Sequence, residues 1–103
     1  DYATLRIVLG GWGMAFTECR VIVGMNGGQA ERAVTGADEE HLLSLFVNEK
    51  MVTIRFVDLS WNGQIDQGDI MYVSVPGVES GDVLTVRMAL NSGASLGATS
   101  YTF

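Results

Sequence analysis

Apolar residues recur at every second position over most of this chain, which is the pattern of strands with one buried face. The clearest runs are ATLRIVL (3–9), MVTIRFV (51–57), IMYVSV (70–75) and VLTVRMAL (83–90). Each run puts apolar side chains on one face, and the polar and arginine side chains of the run lie on the other. Turn-forming residues separate the runs about every ten residues. We therefore predict an all-β fold, a small antiparallel β-sandwich or barrel of about six or seven strands.

Two turn signals indicate where the chain reverses. Asn26-Gly27 is a preferred pair for two-residue hairpin turns, because both residues tolerate a positive φ. We expect it to join a strand over about 14–25 to an antiparallel strand over about 29–34. Asn91-Ser92-Gly93 predicts a later reversal, before a last strand that ends in SYTF.

The stretch TGADEEHLLSLFVNEK (35–50) is compatible with two secondary structures. A short helix near 38–48 has acidic residues in its first turn and a lysine at its end. That helix places three apolar residues on one face: Leu42, Leu45 and Phe46. A short strand over about 42–47 is the alternative, and the sequence leaves both open.

Length, composition and charge exclude several classes of function. With 103 residues and 48% hydrophobic residues, the chain suits one β-sandwich domain over 1–103. The formal net charge of −6, with Lys50 as the only lysine, argues against a nucleic-acid partner. No apolar run approaches the roughly 20 residues of a membrane helix, and no signal peptide is visible. Because the chain starts at Asp1, a processed product or a fragment is at least as good an explanation as a cytosolic origin.

Candidate reactive and aromatic residues are few. Cys19 is the only cysteine and lies on an alternating strand, so we expect a small core residue and not a nucleophile. His41 is the only histidine, and we expect it at the surface. Trp12 and Trp61 lie in turn-like stretches, where an indole either closes the end of the core or stacks on a ligand. No catalytic constellation and no phosphate-binding loop is present, so we expect a non-enzymatic protein.

The stretch DLSWNGQIDQGD (58–69) spaces oxygen-bearing side chains as an EF-hand calcium loop does. Counted from Asp58, such a loop has side-chain oxygens at positions one, three and five, glycine at six and a backbone carbonyl at seven. An oxygen or bridging water follows at nine and a carboxylate at twelve. All these positions are suitably filled, and Ile65 is the apolar residue at eight. We predict a calcium site with the ligands Asp58, Ser60, Asn62, Gln64 (through its carbonyl), Asp66 and Asp69.

Two features depart from the calcium-loop pattern. Asp69 stands where glutamate is usual, and strand-like residues flank the loop where an EF-hand has helices. The alternative is a polar Asn-Gly turn with solvated carboxylates. If calcium binds, we expect a structural role, because the ion neutralises three carboxylates and fixes a long loop between two strands.

The second half of the chain resembles the soluble β-domain of archaeal type IV pilins, over roughly 52–103. Two stretches carry the resemblance: FVDLSWNGQIDQGDIMYVS and VESGDVLTVRMALNSGASLGATSYTF. The first is similar to an acidic, glycine-containing loop followed by a Gly-Asp pair (Gly68-Asp69) and a strand. The second is similar to the family's closing hairpin, with a further Gly-Asp pair at Gly81-Asp82.

The resemblance implies an extracellular structural subunit of a surface filament used in adhesion, which associates with itself or with other surface proteins. Pilins of that family also carry a long hydrophobic N-terminal helix, which this sequence does not contain. Either an upstream anchor was removed, or the protein assembles differently, with ATLRIVL as a strand donated to a neighbouring subunit. The alternative function is a carbohydrate- or protein-binding β-module of a larger secreted protein, with Trp12 or Trp61 as contact residues.

Overall fold

The computed structural model describes residues 2–10, 15–34, 40–57, 64–65 and 67–103. These residues contain eight strands: β1 (Tyr2–Val8), β2 (Cys19–Met25), β3 (Gly28–Ala33), β4 (Glu40–Val47), β5 (Lys50–Val57), β6 (Ile70–Pro76), β7 (Val83–Leu90) and β8 (Ser95–Thr102). They form two four-stranded antiparallel sheets. The first sheet has the order β1-β6-β5-β4, and the second has the order β3-β2-β7-β8.

The predicted all-β sandwich is confirmed. The alternation in sequence is matched by burial along the central strands, since Val52, Ile54 and Phe56 of β5 are fully buried. Val21 and Val23 of β2 face them from the second sheet and are fully buried as well. The rings of Phe16 and Phe56 pack with centroids 5.4 Å apart. The apolar faces of both sheets therefore meet in one core, as the period of two requires.

Of the two alternatives for 35–50, the strand over about 42–47 is confirmed, and the helix near 38–48 is wrong over the described residues 40–47, which form strand β4. β4 pairs with β5 through a two-residue turn at Asn48-Glu49, where both residues have positive φ. Leu43, Leu45 and Val47 point into the core, whereas Leu42 and Phe46 point outward. Hairpin pairing with β5 buries the alternating leucines, and this packing outweighs the helix-favouring first turn. β4 also raises the strand number to eight.

The strand predicted over about 14–25 begins later than the sequence indicates. A 3₁₀ turn covers Phe16–Glu18, and β2 begins only at Cys19. Phe16 lies in this turn and not in a strand, and it is fully buried, so the turn contributes an aromatic side chain to the core. The two predicted reversals are confirmed: Asn26 and Gly27 have φ of 49° and 91°, and β8 follows the turn at 91–94.

The first strand is used within the chain itself. β1 pairs antiparallel with β6 from Tyr2↔Pro76 to Val8↔Ile70, so ATLRIVL completes the first sheet of its own subunit. Donation of this strand to a neighbouring subunit would require β1 to leave β6.

Candidate functional site

The predicted calcium loop connects β5 to β6, and its last residues are tied to the end of β1. The Leu9 backbone N–H donates to the Asp69 carbonyl at 2.7 Å, and the Gly68 N–H donates to the Leu9 carbonyl at 3.2 Å. Gly68 has a φ of 99°, a conformation that glycine adopts without strain. These two hydrogen bonds fix where the backbone of position twelve lies relative to the first sheet.

Asp69 lies in an unusual environment for a surface loop carboxylate, because only 1% of its surface is exposed. A buried carboxylate is stable only where hydrogen-bond donors or a cation compensate its lost hydration. Position twelve of a calcium loop is a place where a cation provides that compensation. Asp69 has an interaction within the chain, and its burial is also compatible with a ligand role.

The middle of the loop folds back onto the sandwich. Ile65 is fully buried, and the exposed Gln64 forms a β-bridge with Ala15. The core thus anchors the loop through the apolar residue at position eight, directly after the residue whose carbonyl is predicted to bind calcium.

The other four predicted ligands, Asp58, Ser60, Asn62 and Asp66, lie outside the described residues. Within the described ranges, no three histidine, cysteine, aspartate or glutamate residues are close enough together to hold a metal ion. The calcium site therefore stays a prediction, for which the structure gives the positions of Gln64 and Asp69.

The remaining residues singled out from the sequence have different outcomes. Cys19 is fully buried on β2, which confirms its placement in the core. Burial raises the pKa of its thiol, and the nearby Glu18 carboxylate raises it further, so the thiolate nucleophile is disfavoured at neutral pH. Trp12 and Trp61 lie outside the described residues, and the His41 side chain is not described either.

One surface was not anticipated from the sequence: an exposed apolar patch on the outer face of the first sheet, formed by Leu42, Phe46 and Met51. Their exposed fractions are 61%, 64% and 48%. Phe46 lies directly opposite Met51 in the β4–β5 register, and Leu42 lies opposite Arg55. Apolar residues on both faces of a strand over HLLSLFV could have indicated this patch. The helical interpretation instead placed them on a single face.

Two arginines and a tyrosine extend this outer face from Leu42 of the patch across the sheet to β1. Tyr72 of β6 lies in register with Arg6 of β1 on one side and Arg55 of β5 on the other. The Arg55 guanidinium stacks over the Tyr72 ring, 4.8 Å from its centroid. Aromatic, methionine and arginine side chains are the types enriched at protein interfaces. This combination on one sheet face is typical of a protein-binding surface.

A set of polar contacts, called the clasp below, joins the β2–β3 turn to the β6–β7 turn. The Asn26 amide donates to the Asp82 carboxylate at 3.0 Å, and the Glu79 backbone N–H donates to its other oxygen at 2.9 Å. These hydrogen bonds, with the Glu79 contribution the largest, lower the pKa of Asp82, and the Lys50 charge adds to the effect. The clasp explains the Gly81-Asp82 pair structurally, as part of the turn that precedes β7.

Comparisons with protein-family models, curated proteins and solved structures found no match for this chain. A search of the described residues also found no helix of the length and apolarity that a bilayer crossing requires.

Proposed function

We propose that this chain is a non-enzymatic structural subunit of an extracellular surface filament used in adhesion, and that it assembles through the outer face of its first sheet. The observation that supports the proposal best is the apolar patch of Leu42, Phe46 and Met51. Large apolar side chains that are about half exposed or more, grouped on one sheet face, are typical of an interaction site. The resemblance of 52–103 to archaeal pilin β-domains supports the filament context.

We propose other copies of the same chain as the partner, and charge supports this choice. The chain has twelve acidic and six basic residues, yet Arg6 and Arg55 both lie on the patch-bearing face. A basic, apolar face on an acidic protein is complementary to the remaining surface of a neighbouring copy. A contact between two different surfaces is heterologous, and such contacts generate filaments when the rotation does not close.

Calcium is the second part of the proposal. An ion in the 58–69 loop stabilises the connection between β5 and β6, and the buried Asp69 is the described residue that fits a ligand role.

Self-association measured by sedimentation over micromolar to millimolar concentrations tests the assembly proposal. We expect the mass to rise with concentration, and Phe46→Ser to weaken this rise, because it removes apolar area from the contact. Val83→Ser is the matched control, since Val83 is an exposed apolar residue of the second sheet. A chain that stays monomeric throughout, or equal losses in both variants, contradicts the proposal.

A further inference from the structure

The outer face of the second sheet contains a groove of about 410 Å³, on the side of the sandwich away from the apolar patch. Its lining comes from the β2–β3 hairpin and from β7. The residues used below are Ile22, Gly24, Gln29, Val83, Thr85 and Arg87. Its volume lies in the range of small-molecule sites, which is about 300–1,000 Å³.

Gly24 forms the floor of the groove, between Gln29 of β3 and Thr85 of β7 in register. A Cβ atom at this position would meet the Gly28 carbonyl oxygen at 3.5 Å and the Thr85 Cβ at 3.9 Å, which are ordinary contacts. Gly24 also lacks the positive φ that would favour glycine. Neither packing nor backbone conformation requires glycine here, so its main structural consequence is the open groove.

The polar groups of the groove are suited to an acidic, hydroxylated ligand. Among the described residues, neither the Arg87 guanidinium nor the Gln29 amide has a hydrogen-bond or ion-pair partner within the chain. The Thr85 hydroxyl adds a third polar group and interacts with the Ser100 hydroxyl at 3.3 Å. Val83, which is 40% exposed, supplies apolar surface beside them, and the largely buried Ile22 completes the lining.

Local charge favours an anion despite the net charge of −6. The carboxylate nearest in register is Glu31, which lies opposite Ile22 and is paired with Arg20 at 3.0 Å. Asp82, near the other end of the groove, accepts hydrogen bonds from Asn26 and from the Glu79 backbone. More distant carboxylates are screened over about 8 Å at physiological ionic strength.

We infer that this groove binds a small carboxylate that also carries hydroxyl groups, with a uronic acid as the representative ligand. The planar guanidinium of Arg87 takes the carboxylate with two hydrogen bonds. The Gln29 amide and the Thr85 hydroxyl bind ligand hydroxyls, and Val83 contacts the apolar face of the sugar ring. The site lies on the opposite sheet from the proposed assembly face and does not depend on that proposal.

An NMR titration of the ¹⁵N-labelled chain with galacturonate tests the inference, with galactose as the uncharged comparison. We expect shifts centred on Gly24, Gln29 and Arg87, with weaker binding of galactose. Arg87→Gln should weaken galacturonate binding about tenfold or more, because it removes a charge-assisted hydrogen bond. Gly24→Val should abolish binding by filling the groove with a residue that suits a strand.

Arg6→Gln is the control, because Arg6 is an exposed arginine on the first sheet and should not affect this groove. An oligogalacturonate is titrated in parallel: tighter binding identifies a polysaccharide as the source, and equal affinity identifies the free acid. The inference is overturned if galacturonate causes no shifts, if the shifts map elsewhere, or if folded Arg87→Gln binds as well as the unchanged chain.

Discussion

Glu49 has a φ of 66°, in the left-handed region that side chains other than glycine and asparagine rarely adopt. It is the second residue of the β4–β5 turn, after Asn48 with a φ of 48°. Two-residue turns with positive φ at both positions match the twist of the flanking strands, and Asn-Gly is their preferred sequence. The fold therefore requires at Glu49 a conformation that its side chain disfavours.

Glu49→Gly should stabilise the protein by up to about 1 kcal/mol, because relief of a left-handed residue exceeds the extra entropy of glycine in the unfolded chain. The free energy of unfolding in urea measures the effect. Gln29→Gly, in an extended strand, is the control and should be destabilising. The same sign for both variants would contradict this account of the turn.

The lowered pKa of Asp82 predicts how the stability of the protein depends on pH. Its folded-state pKa lies below the ordinary value of 3.8, so the ionised form is the one that the clasp stabilises. This contribution is fully present above the unfolded-state pKa and is lost as the pH falls through the lower folded-state pKa. Unfolding of the unchanged chain and of Asp82→Asn between pH 7 and pH 2 should show a stability difference that shrinks in that acidic window. A difference independent of pH would mean that charge plays no part in the clasp.

At the scale of elements, the β4–β5 hairpin contributes to the core and to the outer surface at once. Its inward residues fill the sandwich, and its outward residues Leu42, Phe46 and Met51 form the apolar patch. β4 is an edge strand of its sheet, but the Arg32 guanidinium of β3 donates to the Ser44 carbonyl at 3.0 Å. This hydrogen bond links the two sheets and occupies a carbonyl of an edge strand that could otherwise pair with another chain.

Two phenylalanines of this hairpin should differ sharply in their effect on stability. Phe56→Ala should cost about 3–5 kcal/mol, because it empties a fully buried position beside Phe16. Phe46→Ala, on the exposed face of the same hairpin, should change stability by no more than about 0.5 kcal/mol. Urea unfolding at a concentration where the chain is monomeric measures both. Comparable losses would contradict the assignment of Phe46 to the outer face.

At the scale of the whole molecule, the 58–69 loop joins adjacent strands of the first sheet, and its end is bonded to the residue after β1. Calcium bound there should stabilise the folded state only, by about 2.7 kcal/mol at a hundred times the dissociation constant. For a domain of this size, the melting temperature should rise by about 10 °C or more over that in chelator.

Asp58→Ala should abolish the calcium-dependent shift, because it removes the first predicted ligand, whereas His41→Ala should retain it. Thermal unfolding with millimolar calcium and with chelator measures both variants. No shift in the unchanged chain would remove the calcium proposal and leave the polar-turn alternative.

The strands differ in how well the sequence predicts which residues point into the core. In β5, β6 and β7, alternation alone identified the inward residues, because successive side chains of a strand point to opposite faces and only one face is buried. In β4, apolar residues occur on both faces. The period of two was therefore obscured, and the sequence was compatible with a helix as well as a strand. Pairing with β5 decided the matter, and local sequence does not encode that contact.

The candidate sites follow the same division. The spacing of oxygen ligands in 58–69 is a local property, so the calcium prediction came from the sequence alone. The backbone hydrogen bond from Leu9 to Asp69 joins residues about sixty positions apart, and only the fold brings them together. The patch and the Gly24 groove each combine residues from different strands, so neither exists as a motif.

The amino-acid sequence by itself determined the all-β class, most inward faces and the hairpin turn at Asn26-Gly27, since these depend on neighbouring residues and backbone sterics. Only the tertiary structure decided which outward residues share a surface, because strand order and register set the distances between residues that are remote in sequence.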